Sequence, residues 1–365
     1  MRSVVICGPE LPSSAGRDAV RAVSIDGVRV PCGVIVTADR AFDHDAPANA
    51  EKVLVRVRRF SCNYRDKGFV LRAAARLPAD RCFAIGSEFV GDVVAVGTGV
   101  ERVRPGDRVM GDNSYPHGAR GGVPTNGASR EYLVLHEDKV IAVPAGMPDD
   151  VAAAFSLGAQ TAFSMVARLA PQRGDRVLVT AARSNTSLFA MAALHARGVE
   201  VHLVTSSAGH VDQLRARGAS EVYVVDPAQS HTGQQALVAA ARRAGGFTGA
   251  IDPFFDLHLH HVLPLMRNGA RYVTCGFQAQ RGVDPDAAAA NASAHAAICM
   301  AIVNNVSIIG NCLGLRTHLE QALAAYDTGK LEVAIDSVFA GDAAGFLART
   351  FTAADRFGKV VYAYH

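Results

Sequence analysis

From Val151 onward the chain alternates short apolar runs with segments of helical period, a rhythm that few folds can accommodate. The runs Arg176–Thr180, Glu200–Thr205, Glu221–Val225, Gly249–Phe254, Arg271–Cys275 and Val306–Gly310 predict strands. Leu188–Arg197, Val211–Arg217, Gln234–Ala244 and His258–Arg267 predict the helices between them. Strand and helix alternating through short connections give a parallel sheet with helices on both faces, doubly wound, with right-handed crossovers. A helix over His318–Asp327 and a last apolar strand over Lys359–Tyr362 close the chain.

The first half has a different grain. Val53–Arg58 and Glu88–Val96 are β-branched runs, and Gly97–Gly99 supplies a turn after the second. Pro105-Gly106-Asp107 turns the chain into a strand at Arg108–Gly111, and Glu131–Leu135 and Lys139–Val143 add two more. Short strands at this spacing, punctuated by Gly and Pro, predict a small barrel. Residues 9–50 are broken by Pro and Asp and carry no assignable element. The Ala-rich stretch Asp286–Ala297 reads as a loop entering a helix.

Composition sets the outer limits. At 365 residues, 49% apolar and 19% charged, the chain is globular and long enough for two domains. A net charge of +3 without a dense Lys/Arg run argues against a nucleic-acid surface. No apolar run reaches membrane-spanning length, and the apolar core of Met1–Gly8 is too short for a signal peptide. Seven scattered cysteines with no C-x-x-C pair predict reduced thiols in the cytoplasm.

The strand ending at Thr180 runs into Ala181-Ala182-Arg183-Ser184-Asn185-Thr186-Ser187 and then a helix stopped by Gly198. Such a helix N-terminus suits a pyrophosphate, with Ser184, Asn185 and Thr186 in contact with it. The turn lacks the usual glycines, but Asn185 can tolerate a left-handed conformation and the Ser and Ala residues are small, so the turn can still bind. Without a ligand the same residues would be a plain strand–turn–helix. The second strand ends in Ser206-Ser207 with His210 and Arg215 close behind and no carboxylate before Asp212. Hydroxyls and cations there favour a 2′-phosphate, hence NADPH, although the two serines would also serve as helix caps.

Asn63-Tyr64-Arg65-Asp66, the hairpin Gly86–Val109, Gln160-Thr161-Ala162, Ser206-Ser207 and Phe357-Gly358-Lys359-Val360-Val361 occur in a telling order. Together they resemble the zinc-independent branch of the medium-chain dehydrogenase/reductases, over roughly residues 52–365. That branch includes quinone oxidoreductases, enoyl-thioester reductases and the enoylreductase domains of polyketide synthases. The resemblance implies an α/β chain with a GroES-like β-barrel catalytic domain, residues 1–165 and 313–365, and a doubly wound Rossmann domain, residues 166–312. It places Asn63, Ser87 and Leu157 where zinc-dependent relatives hold their metal ligands; Cys62 is one residue out of register. His258 and His261 share a helix face with no acidic partner apparent, which reads as a solvated face.

The resemblance also distributes roles. Tyr64 becomes the candidate donor to a substrate carbonyl or enolate, with Asn63 orienting the substrate and Asp66 fixing the loop. Thr161, at the start of a helix, would touch the nicotinamide ribose or phosphate. Gly276 and Phe277 would lie beside the nicotinamide, and Lys359 near the phosphates. A lid over Asp112–Gly127 would bring Tyr115, His117 and Arg120, and Asn304 and Asn305 would line the cleft.

Without a Lewis acid, reduction of an alkene conjugated to a carbonyl is easier than carbonyl–alcohol interconversion. The expectation is an NADPH-dependent reductase of an enoyl thioester, an enone or a dehydroamino-acid-like acceptor, small or carrier-bound. Its rivals are a quinone reductase, a zinc-type alcohol dehydrogenase and a non-catalytic NADPH-binding protein. The resemblance further implies a homodimer paired through the sheet edge at Val306–Gly310.

Overall fold

A computed structural model of the chain describes residues 1–8, 20–38, 41–114, 125–225, 234–277 and 287–364, with side chains from 294 onward in the last span. It divides into two compact units: Met1–Leu157 with Ala334–His365, and Gly158–Val333. The boundaries read from sequence, 165/166 and 312/313, fall inside the helix Ser156–Leu169 and just ahead of the helix Arg316–Asp327. Among the described residues no helix is long and apolar enough to cross a membrane.

In the second unit the six expected strands form one parallel sheet. Its order is Glu221–Val224, Glu200–Thr205, Arg176–Val179, Phe247–Asp252, Met266–Thr274, Ser307–Gly310. The order reverses beside the first strand, at the C-terminal end of which doubly wound sheets bind ligands. Leu178, Phe247, Ala250 and Tyr272 are buried among the helices on its face. One predicted helix is misplaced. His258–Arg267 is a helix over Phe255–Val262, a single 3-10 turn at Leu263–Leu265, and a strand from Met266. Pro264 is the cause, because its ring and missing N–H end an α-helix. The Ala-rich stretch is a helix from Ala287 to Val303, longer than read from sequence.

The first unit contains two sheets. In the larger, Lys52–Ser61 lies between Lys359–Ala363 and Glu88–Val96, with Tyr132–His136 also paired to it. Arg108–Gly111 and Val140–Ala142 continue one side, and Ile335–Phe339 ends the other. Phe60, Phe346 and Tyr362 pack edge-on and tilted, with centroids 5.3–5.6 Å apart, and seat the C-terminal strand on Lys52–Ser61. The helix Ala343–Phe351 that brings Phe346 is absent from the sequence reading.

The segment that resisted assignment supplies much of the second sheet. Its antiparallel order is Arg21–Ile25, Val28–Val36, Arg2–Cys7, Cys82–Ala84. Asp26 and Gly27, with φ of 49° and 73°, make the two-residue turn of the hairpin Arg21–Val36. An Asp-Gly pair between apolar strands is a hairpin signal that was legible in the sequence. The helix Tyr64–Arg76 packs on this sheet.

Candidate active site

Strand register assembles one cluster of candidate residues, in the first unit. Val361 lies opposite Ser61, and Ser61 opposite Glu88. Carrying the antiparallel register two pairs further, through Val360 and Cys62, brings Lys359 to Asn63, where the Lys52–Ser61 strand has just ended. The contacts follow from this. Lys359 Nζ donates to Asn63 Oδ1 at 2.6 Å and lies 2.5 Å from Glu88 Oε2. Asn63 Nδ2 donates to Glu88 Oε2 at 2.9 Å and to Ser87 Oγ at 3.1 Å. Ser61 Oγ and the Leu157 N–H also donate to Glu88, at 3.1 and 2.6 Å.

The Asn63–Asp66 segment is the start of a helix and not a loop. Asn63 is its N-cap, and Asp66 Oδ2 accepts from the Asn63 N–H at 2.7 Å, closing a capping box. Ser87 Oγ donates to the same Asp66 oxygen at 2.5 Å. Burial pushes the Asp66 carboxyl up, against the opposing pull of Arg65 and of these hydrogen bonds.

Of the three positions that the resemblance aligns with metal ligands, Asn63 and Leu157 bond the Glu88 carboxylate, and Ser87 bonds Asn63 and Asp66 beside it. Their side chains offer an amide, a hydroxyl and an isobutyl group, and none is the thiolate or imidazole zinc prefers. Cys62 is buried beside them, and desolvation pushes its thiol well up, as for a packed side chain. Among the described residues the one group of His, Cys, Asp and Glu close enough to share an ion is Asp43, His44 and Asp45, all exposed. None of the seven cysteines is in a disulfide.

Tyr64, the first residue of the helix, is half-buried. Lys67 Nζ donates to its hydroxyl at 3.3 Å and sits 5.1 Å from the centre of its ring. Asn63, expected to orient substrate, has its amide engaged by Ser87, Glu88 and Lys359. Lys359, expected near phosphates, is buried with Glu88 and Asn63 as its partners. Tyr115, His117 and Arg120 of the expected lid lie outside the described residues.

A second cluster, in the other unit, is the turn after Arg176–Val179. Its left-handed residue is Ala181, with φ 48°, and not Asn185. Asn185 begins the helix Asn185–His195 and is buried, and Ser184 caps it by accepting from the Ser187 N–H at 3.2 Å. The missing glycines are offset in part from another element. A side chain on Gly158 would meet Asn185 Nδ2 at 3.0 Å and the Phe189 ring at 3.2 Å, so the glycine on the helix Ser156–Leu169 makes room for the turn. An alanine held at positive φ costs energy that a native fold tolerates mainly at functional sites.

Thr161 lies inside that helix and not at its start. Its hydroxyl is buried and has no hydrogen-bond partner among the described residues. A buried hydroxyl without a partner costs about 1–3 kcal/mol, which a polar ligand atom would offset.

At the end of the second strand, Arg183 Nη2 donates to Ser206 Oγ at 3.3 Å, and both are solvent-accessible. The sequence reading named Ser206 and overlooked Arg183, which is 23 residues away but adjacent across the sheet. Ser207 caps the following 3-10 turn, and His210 Nδ1 meets Gln213 Oε1 at 3.0 Å.

Gly276 follows the fifth strand; its carbonyl accepts from the Phe255 N–H at 3.2 Å, and a side chain there would meet the Pro253 carbonyl at 2.9 Å. Phe277 is half exposed. Asn304 and Asn305 close the helix Ala287–Val303, with Asn305 at φ 50°. His258 does have an acidic partner. Its Nδ1 lies 2.8 Å from Asp252 Oδ1, and Thr180 and Tyr272 donate to the same buried carboxylate.

Known proteins agree with this architecture. Residues 49–145 match the alcohol dehydrogenase GroES-like domain family. A mycocerosic acid synthase-like polyketide synthase of Mycolicibacterium smegmatis is 30% identical over 225 residues, 60% of this chain and 10% of that protein. The dehydrogenase azaJ of Aspergillus niger is 27% identical over 188 residues, 48% of this chain and 53% of that one. The chain thus spans about a tenth of the polyketide synthase and about half of the dehydrogenase. Among solved structures, an NAD-dependent alcohol dehydrogenase superposes over the full length of both chains with a TM-score of 0.75 at 24% identity. A quinone oxidoreductase of Pseudomonas syringae covers 100% of this chain and 99% of its own with a TM-score of 0.72 at 19% identity. The chain has the two-part fold of the medium-chain dehydrogenase/reductases, and its first unit carries their alcohol dehydrogenase GroES-like domain.

Proposed function

We propose that the protein is an NADPH-dependent reductase of a C=C bond conjugated to a carbonyl. One observation carries the reading. Of the positions that the resemblance aligns with metal ligands, Asn63 and Leu157 bond Glu88 and Ser87 bonds Asn63, with the buried Lys359 ammonium as the cation in the cluster. A site so built has no Lewis acid of its own for an alcohol or ketone oxygen, while conjugate reduction can proceed on hydrogen-bond donors. The likeness to polyketide synthases supports an enoyl thioester or a related acceptor, small or carrier-bound.

Ser184 and the helix start at Asn185 would receive the pyrophosphate, Arg183 and Ser206 the 2′-phosphate, and Thr161 a ribose or phosphate oxygen. When bound, the nicotinamide supplies a hydride to the β-carbon of the substrate. Tyr64 then acts on the carbonyl side. A phenol both accepts and donates, and with Lys67 donating to its oxygen its own proton is the one it gives. That proton first stabilises the developing enolate oxygen. The α-carbon is then protonated by the phenol or by water, and solvent restores the donor.

The test is isotopic. With crotonyl-N-acetylcysteamine and 4-deuterated NADPH, deuterium is expected at the β-carbon; in D2O with ordinary NADPH, at the α-carbon. The reverse pattern excludes conjugate reduction. The likeness to a quinone oxidoreductase supports a second reading, which benzoquinone consumption without enoyl reduction would establish. An NADPH complex that turns over neither acceptor would favour a binding protein.

A further inference from the structure

We infer that Lys67 is a positioning residue for Tyr64, and that the hairpin Arg21–Val36 holds it in place through Asp26. The inference rests on the donor role of Tyr64 proposed above. Lys67 is three residues after Tyr64 on one helix, so the two share a face. Its side chain is 3% exposed, a rare state for a lysine that is not paired. Nζ lies 2.8 Å from Asp26 Oδ1 and 2.7 Å from Oδ2, and it donates to Tyr64 Oη at 3.3 Å.

The geometry has a direction. Asp26 straddles the ammonium from one side, at the tip of a two-residue turn whose positive φ values fix where the carboxylate projects. The ammonium turns a further N–H to the phenol oxygen. The charged donor holds the phenol oxygen in one place, so that the hydroxyl is set for the enolate oxygen before the charge develops there. It also fixes the rotation of the hydroxyl, because the lone pair facing Lys67 is taken. Asp26 is 43% exposed and can be resolvated when Lys67 is removed, so the chain can be tested without stranding a buried charge.

Four variants are compared: Tyr64→Phe, Lys67→Met, Lys67→Arg and the double variant Tyr64→Phe with Lys67→Met, using crotonyl-N-acetylcysteamine and NADPH. Lys67→Met is expected to lower kcat about tenfold or more with little change in KM, the worth of one charged hydrogen bond. Lys67→Arg restores most of it, and the double variant is no slower than Tyr64→Phe alone, since Lys67 acts through the hydroxyl. A second readout needs no turnover. In protein labelled with [ζ-13C]tyrosine, the resonance lost in Tyr64→Phe is expected to move in Lys67→Met and, by less, in Asp26→Asn.

Equal slowing by Lys67→Met whether or not Tyr64→Phe is also present would make Lys67 a scaffold residue and overturn the inference. So would an unmoved resonance, or a slow Tyr64→Phe beside an unslowed Lys67→Met. A Tyr64→Phe variant at the wild-type rate overturns the donor reading itself, and the role of Lys67 falls with it.

Discussion

Lys359 Nζ stands 2.5 Å from Glu88 Oε2, with both side chains withdrawn from solvent. The ion pair joins the strand Lys359–Ala363 to the strand Glu88–Val96 across Lys52–Ser61, and it carries Asn63 and Ser61 with it. Lys359→Met would leave a buried carboxylate without its cation, a loss of about 3–5 kcal/mol of stability. Replacing both partners by apolar residues is expected to recover most of that loss. Urea unfolding of the single and double variants measures it, and a single variant within about 1 kcal/mol of wild type would show that the pair is not structural.

Metal content follows from the same cluster. Asn63, Ser87 and Leu157 provide no thiolate or imidazole, so the purified protein should carry far less than one zinc per chain. Its reductase activity should survive EDTA. One tightly held zinc per chain by elemental analysis would overturn the reading.

Arg183 and Ser206, which meet at 3.3 Å, are expected to set the cofactor preference. NADPH is expected to bind more tightly than NADH by about 1–3 kcal/mol, the range of charge-assisted contacts. Arg183→Ala should erase the difference and Ser206→Asp should reverse it. Equal affinities for wild type in calorimetry would refute the assignment.

Stability should fall on mild acidification. Burial lowers the His261 imidazole to about 4, with His260 and His258 pushing the same way. The folded value lies below the unfolded one, so between about pH 4 and 6.5 the unfolded chain binds more protons and stability rises with pH. His202, His260 and His318 are lowered in the same direction, by burial first. Below that interval Asp252 takes over. Burial alone would raise its carboxyl, but His258, Thr180 and Tyr272 hold it below the ordinary range. Its contribution is fully present above about pH 4, the unfolded value, and is lost as pH falls further. Melting temperatures across the mildly acidic range should decline toward acid, and His261→Gln should flatten the upper part of the curve; an unchanged slope would discount His261.

We propose that the protein pairs with a second copy at the sheet edge Ser307–Gly310. Ile298, Ile302 and Val303, on the helix leading to that strand, are 52%, 70% and 71% exposed, an unusual run of apolar surface. Ile302→Glu is expected to shift a dimer to monomer in light scattering. A wild-type monomer at micromolar concentration would dispose of the interface.

The Rossmann sheet could be read from the linear sequence because each of its strands is a short apolar run beside its own helix, and such patterns are local. In the first unit the β-branched runs between Gly and Pro turns were legible, but Arg2–Cys7, Arg21–Ile25, Val28–Val36, Cys82–Ala84 and Ile335–Phe339 were not read, although the Asp26-Gly27 turn could have been. Pro264 explains the misplaced helix and was equally visible in the sequence. The arrangement around Glu88 could not be read that way. Lys359 reaches Asn63 from 296 positions away, Arg183 meets Ser206 across two parallel strands, and Gly158 makes room for Asn185 from a different helix. Periodicity records which face a residue turns to the core. Which distant residue waits on that face is decided by strand register and packing, and that depends on the whole chain at once.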